Sequence, residues 1–220
     1  MTRKLYWKND ITEAEVDVLE CKQCADGRYG LLLDATPFHP QGGGQPADIG
    51  KIGDADVFGV EIVDGEIIHY TQQRVALGLA LARIDPARRR HHSRLHSAGH
   101  LIGHALESLA WQPVKAHHWP DEARVVFKPL DDAKAVDMQI VQRHCDEMIA
   151  RNLPCKVQIS EQQYRQVGFG DLKPYGCGGT HVTATAELQG LQILSVNSKK
   201  GQLIIQYHVK DAENSNGISA

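Results

Sequence analysis

Near its start the chain alternates. Val16 and Val18 flank Asp17, Asp26-Gly27 marks a turn, and Tyr29 to Leu33 is a short apolar run. A period of two, broken by turn residues, reads as strands. Val57 to Val63 and Glu66 to Tyr70 flank Asp64-Gly65, a pair favoured by tight hairpin turns. Val75 to Ile84 carries Ala and Leu that suit a helix, but its length and place suit a last strand. Several short strands with regular turns predict a small β-barrel.

After Asp85-Pro86 the period changes. Asp followed by Pro reads as an N-cap with Pro at the first helical position. The pattern predicts a helix to about Leu109, broken near His91, then a strand at Arg124 to Lys128. A second helix is expected from Asp131 to about Ala150, with apolar Ala135, Met138, Ile140, Val141, Cys145, Met148 and Ile149. Lys156 to Ile159 reads as a strand, and Leu191 to Val196 pairs with Leu203 to Val209 across a turn at 197–201. The polar tail from Asp211 to Ala220 is expected to fray. The fold class is α+β. Two domains are expected: residues 1–85 as the β-barrel and residues 86–220 as an α+β unit.

Charge sharpens this division. The 220 residues carry 24 Lys and Arg against 27 Asp and Glu, a net charge of −3. That total counts against a strongly basic nucleic-acid binder. Yet residues 1–85 hold 8 cationic and 14 acidic side chains, a balance of −6, and residues 86–220 hold 16 and 13, a balance of +3. Ten of the twelve histidines also follow residue 85. Five cysteines cannot all pair. With no apolar run after Met1 and none long enough for a membrane span, the reading is a cytoplasmic protein with free or metal-bound thiols. Cys21 and Cys24 fall in a predicted hairpin, which suits neither a redox pair nor half a zinc site.

Three motifs carry chemistry. His96-Ser97-Ala98-Gly99-His100 lies in the first helix, where residues four apart share a face. Both imidazoles can therefore meet one metal, and His104 continues the face. Cys177-Gly178-Gly179-Thr180-His181 offers a thiolate and an imidazole across a glycine turn that permits positive φ. Together His96, His100, Cys177 and His181 make an N/S set suited to one Zn²⁺. The third motif, Phe38-His39-Pro40-Gln41-Gly42-Gly43-Gly44-Gln45-Pro46-Ala47-Asp48, lacks the Gly-Lys-Ser/Thr ending of a P-loop and the G-x-G-x-x-G of a Rossmann turn. Its glycines allow close backbone approach, for instance to the metal site.

These motifs, in this order, resemble the alanyl-tRNA synthetase editing module. At this length, and with the Gly-rich segment, the chain is similar to the medium-length freestanding AlaX editing proteins. The resemblance implies a barrel related to translation-factor barrels, followed by an editing domain of the type shared with threonyl-tRNA synthetase. It places the zinc ligands on His96, His100, Cys177 and His181, and substrate contacts on Gly42, Gly43, Gly44, Gln45 and Asp48. Where the synthetase has a Gln-containing segment, this chain has Lys115 to Asp121, so no catalytic Gln carries over. Lys115 and His118 become candidate substrate contacts.

The implied activity is zinc-dependent hydrolysis of the ester of mischarged tRNA(Ala), chiefly Ser-tRNA(Ala) and also Gly-tRNA(Ala). An apolar pocket rejects an added hydroxyl by only about 10², so a second site must remove serine. Thr180 or the zinc is expected to read that hydroxyl. Zinc would lower the pKa of bound water, or hold the substrate while free water attacks. Either needs an open coordination position, and His181 is expected to be the displaceable ligand and to act in catalysis. No Asp or Glu adjoins either zinc motif, so no carboxylate base is indicated. Arg88, Arg89, Arg90 and Arg94 are expected to bind tRNA phosphates. The alternatives are a non-catalytic tRNA-binding module with structural zinc, or a small-molecule metallohydrolase.

Overall fold

The computed structural model describes residues 1–8 and 11–210, so the tail expected to fray at Asp211 to Ala220 lies outside the described residues. In chain order the elements are β1 (Arg3–Lys4), β2 (Glu13–Gln23), β3 (Tyr29–Leu33), β4 (Ala35–Thr36), β5 (Gly50–Ile52), β6 (Ala55–Val63), β7 (Glu66–Thr71) and β8 (Gly78–Ile84). Helix α1 (Pro86–Glu107) precedes β9 (Trp111–His117) and β10 (Arg124–Pro129). Then come α2 (Met138–Ala150), β11 (Cys155–Ile159), β12 (Arg165–Phe169), β13 (Tyr175–Gly176), β14 (Leu191–Lys199) and β15 (Gln202–Val209). The architecture is α+β. No helix among the described residues is long and apolar enough to cross a membrane.

Strands β2, β3, β7, β6, β5 and β8 pair in that order, and β8 pairs back onto β2, closing the ring. The alternation seen at Val16 and Val18 sets the inward face, which joins Leu31, Leu33, Ile52, Val57, Val60, Ile67, Ala82 and Ile84 in one apolar cluster. The ambiguous Val75 to Ile84 segment is a strand because β8 satisfies ladders on both sides, to β2 and β5. Asp64 and Gly65 both take positive φ, 50° and 85°, as the β6–β7 hairpin turn requires.

His69 is fully buried inside this ring. Its Nε2 lies 2.7 Å from Thr36 Oγ1 and its Nδ1 lies 3.3 Å from Leu31 O. Burial lowers its pKa to about 4. The unfolded chain therefore binds a proton near pH 6.5 that the folded chain refuses. Stability from this group is present above pH 6.5 and is lost as pH falls toward 4. Between pH 7 and pH 5 the loss is about 2 kcal/mol at 1.36 kcal/mol per unit. Urea denaturation at the two pH values should show His69→Gln losing less stability on acidification than wild type by about that amount. Equal losses would show that His69 is not buried neutral.

The second cluster is built on the antiparallel sheet β14–β15–β10–β9, against which α1 and α2 pack. Leu95, Leu101, Ile102 and Leu106 of α1 meet Val125, Phe127, Ile205 and Tyr207 of the sheet and Val141 and Cys145 of α2. Strands β11, β12 and β13 form a separate small sheet.

Helix α1 is not broken at His91. Asp85 caps it by accepting from the N–H groups of Ala87 and Arg88, both at 3.0 Å. Every residue from His92 to Leu106 is buried. Helix α2 begins at Met138 and not at Asp131, because Asp137 is its N-cap, accepting from Ile140 N at 2.8 Å.

The burial of α1 corrects two expected tRNA contacts. Arg89 is 3% exposed and forms a fork on the Asp48 carboxylate, while its NH2 donates to Pro37 O at 2.6 Å. Arg94 is 6% exposed and donates to the carbonyls of Glu187, Gln189 and Lys210 at 2.7–2.8 Å. Both guanidiniums tie the helix to other segments and face no solvent phosphate. Arg88 is half-buried and Arg90 is exposed. Asp48 is likewise no substrate contact: it is 1% exposed, bound to Arg89, and accepts from His39 N at 2.6 Å.

Candidate metal centre and its cleft

Helix α1 presents His96 and His100 one turn apart, and the segment after β13 brings Cys177 and His181 against them. One donor atom from each lies within 4.8 Å of the others. Cys177 Sγ is 3.3 Å from His96 Nε2 and 3.2 Å from His181 Nε2. His104, one turn further on, stands outside this group, stacked on Tyr175 with its Nδ1 3.3 Å from the phenol.

The outer nitrogens are held as metal-ligating imidazoles commonly are. His96 Nδ1 meets Gln45 Oε1 at 2.8 Å, and His181 Nδ1 meets Ser97 Oγ at 3.0 Å. Gln45 Oε1 also accepts from Thr180 N at 3.1 Å, and its Nε2 donates to Thr180 Oγ1 at 2.9 Å. Arg165 NH1 clamps the glycine turn through the carbonyls of Cys177 and Gly179 at 2.8 and 2.9 Å. Gly179 N–H points at the Cys177 sulfur at 3.4 Å.

Burial, reinforced by neighbouring imidazoles, pushes the pKa of His96 and His181 well below the ordinary value and that of His100 to about 3. All three are neutral at pH 7, the form that ligates. Burial pushes the Cys177 thiol up, while the Gly179 N–H and Arg165 oppose this. A metal ion is the partner that would favour its thiolate. His100 Nδ1 is buried with no hydrogen-bond partner among the described residues. Three imidazoles, one thiol and an unpartnered ring nitrogen fit Zn²⁺.

A cleft of about 300 Å³ opens onto His96, His100 and Cys177. Lys115, Ala116, His118, Tyr175 and Gly43 also line it, with the His118 ring stacked on His96 at 4.3 Å between centroids. Tyr207 has one phenolic proton, which goes to Leu95 O at 3.0 Å, so it accepts from His118 Nδ1 at 2.6 Å. That leaves His118 Nε2 as an acceptor. A larger groove of about 650 Å³ runs along α2 between Met138 and Ile193. None of the four grouped donors lines it, so the smaller cleft is where chemistry converges.

No protein-family model matches the chain. Among known proteins, the alanine–tRNA ligase of Natronomonas pharaonis is 27% identical over 88% of the chain and 24% of the ligase. That of Korarchaeum cryptofilum is 29% identical over 99% of the chain and 29% of the ligase. The chain thus spans about a quarter of the length of these ligases. The alanyl-tRNA editing protein AlaX-M of Methanosarcina acetivorans is 27% identical over 90% of the chain and 95% of that protein. The chain is a relative of the AlaX-type alanyl-tRNA editing proteins.

The residues expected to contact substrate or act in catalysis divide into three groups. Gly43, Lys115 and His118 line the cleft. Gly42 and Gly44 shape it. Gly42 pairs with Gln45 in a tight turn through bonds of 3.0 and 3.1 Å. Gly44, at φ 79°, sits where a Cβ would lie 2.6 Å from Ala116 O, and its carbonyl accepts from His118 N at 2.8 Å.

Gln45, Thr180 and His181 do not line the cleft, and burial removes Gln45 and Thr180 from direct contact with substrate. Gln45 is fully buried and orients His96. Thr180 is fully buried and its hydroxyl is engaged by Ser93 Oγ at 2.7 Å and by Gln45, so it cannot read a substrate hydroxyl. His181 is 2% exposed and backed by Ser97. His96, His100 and Cys177 line the cleft and His181 does not. Gln45 was expected at the substrate, and Arg165, Tyr175 and Tyr207 had no sequence signal, since each acts through partners remote in the chain.

Proposed function

We propose that this chain is a zinc-dependent deacylase that hydrolyses the aminoacyl ester of mischarged tRNA(Ala), chiefly Ser-tRNA(Ala) and also Gly-tRNA(Ala), in the cytoplasm. The observation that carries this reading is the His96, His100, Cys177 and His181 group facing a cleft, in a chain that covers 95% of an AlaX-M protein. Residues 1–85 would act as a barrel domain that delivers the Gly-rich loop, and residues 86–220 as the editing domain.

His96, His100, Cys177 and His181 would hold Zn²⁺, which when bound supplies Lewis-acid polarisation or a water of lowered pKa. The chain's own groups do the rest. His118, with Nε2 as an acceptor and its ring against His96, and Lys115 orient the amino acid in the cleft. Gly43 leaves room for the ester. A site that hydrogen-bonds the seryl hydroxyl discriminates against the alanyl analogue by roughly 10⁴–10⁵, and we assign that contact to the cleft wall of Lys115, His118 and Tyr175.

Incubation with Ser-tRNA(Ala), Ala-tRNA(Ala) and Ser-tRNA(Ser), with and without a zinc chelator, tests the reading. Release of serine from the first alone, abolished by the chelator and restored by Zn²⁺, is expected. Binding of tRNA without turnover would instead make the chain a binding module, and cleavage of all three esters would remove the editing role.

A further inference from the structure

A second cavity, of about 270 Å³, draws part of its lining from two segments that also line the metal cleft. The loop that gives Gly43 to the cleft gives Gln41 and Pro46 to this cavity. The segment that gives Lys115 and His118 to the cleft gives Trp119 to this cavity. The His118 N–H bond to Gly44 O, at 2.8 Å, ties these two segments together.

The chemistry of the second cavity differs from that of the first. Phe58 and Trp119 are 44% and 36% exposed at its rim. Trp119 is held flat by His117, with ring centroids 5.7 Å apart and planes 4° apart. The Arg28 guanidinium lies 3.8 Å from the Tyr70 ring centre and is steadied by Asp26 at 2.7 Å. Glu61, the acidic residue of the lining, interacts with the Tyr70 hydroxyl. Arg88 also lines the cavity, and its buried Nε has no hydrogen-bond partner among the described residues.

Flat aromatic faces beside guanidiniums stack bases and pair phosphates without reading sequence. An apolar peptide would use the aromatics but leave Arg88 unmatched, whereas a phosphodiester matches both. We propose that this cavity is a subsite for single-stranded RNA. It takes a nucleotide just upstream of the acylated terminal ribose, with a base on Trp119 and Phe58 and a phosphate on Arg88. The proposal rests on the deacylase reading, because an ester held at the metal cleft leaves the strand behind it to run along the two segments that line both cavities.

The test uses the full chain and an unacylated, fluorescein-labelled RNA strand ending in CCA, followed by anisotropy. Trp119→Ala and Arg88→Gln should each bind about tenfold more weakly than wild type. Arg88→Gln should also flatten the slope of log affinity against log salt by about 0.7, one phosphate's share for a single strand. An abasic strand of the same length should bind wild type and Trp119→Ala alike. Both side chains reach the surface, and unchanged melting temperatures would confirm folding. No binding by wild type, wild-type binding by both variants, or an equal Trp119→Ala loss with the abasic strand would overturn the subsite. Because the strand carries no ester, failure of hydrolysis with binding intact would count against the reaction alone.

Discussion

Replacing Gly179 by Ala should strip the metal site as effectively as removing a ligand, while Gly178→Ala should leave it intact. Neither glycine takes a positive φ, so the left-handed backbone that glycine permits is not used in this turn. The difference is space. A Cβ on Gly179 would lie 2.1 Å from His96 Cε1, 2.3 Å from His96 Nδ1 and 2.9 Å from Gln45 Oε1. His96 cannot swing away. Its ring is stacked on His118 at 4.3 Å between centroids, and its Nδ1 is tied to Gln45. Arg165 meanwhile holds the turn from behind. A Cβ on Gly178 meets nothing within 4 Å. We expect Gly179→Ala to lower Zn²⁺ affinity by at least about 100-fold, the upper range for losing a group that orients a ligand. Deacylation should fall with it. Zinc content after dialysis against a competing chelator checks this, with Gly178→Ala matching wild type. Full metal retention by Gly179→Ala would show that the turn relaxes.

The contrast marks how far the sequence alone reaches. His96 with His100, and Cys177 with His181, are legible because each pair is close in the chain and a helix or a short turn fixes its geometry. What supports them is not. Gln45 is 51 residues from His96, and only folding brings the Gly-rich loop against the helix. Thr180 resembles a substrate contact because a hydroxyl within a metal motif is chemically suited to one. Its partners Ser93 and Gln45 come from two other segments, so no local pattern reveals that the hydroxyl is engaged. The strands of the ring were legible from alternation at Val16 and Val18 and from the Asp64-Gly65 turn. Strand β9, which carries Lys115, has no clear sequence signal because the adjacent Pro113 and Val114 break its alternation. The arginine run misled for a related reason. Charges on a helix ordinarily mark its solvent face, but α1 is enclosed on several sides, and two of the four arginines point inward.

That enclosure gives the second large effect. Arg89→Ala should destabilise the chain by about 3–5 kcal/mol, the range for removing one partner of a buried ion pair. The side chains of Arg89 and Asp48 are 4% and 1% exposed. Truncating Arg89 leaves the Asp48 carboxylate in the interior with the His39 N–H as its remaining support, and also strands Pro37 O. The loss is a large share of the 5–15 kcal/mol that holds a typical domain together. Because the pair fastens α1 to the loop carrying Gln45, the metal site should loosen at denaturant concentrations below the wild-type midpoint. Arg90→Ala, one residue on and exposed, should stay within about 0.5 kcal/mol of wild type. Replacing both partners, as Arg89→Met with Asp48→Leu, should recover much of the loss, since an apolar pair of similar volume avoids the desolvation that the ions suffer. Urea midpoints of the three variants decide it. If Arg89→Ala shifts the midpoint no further than Arg90→Ala, the buried pair does not fasten the helix.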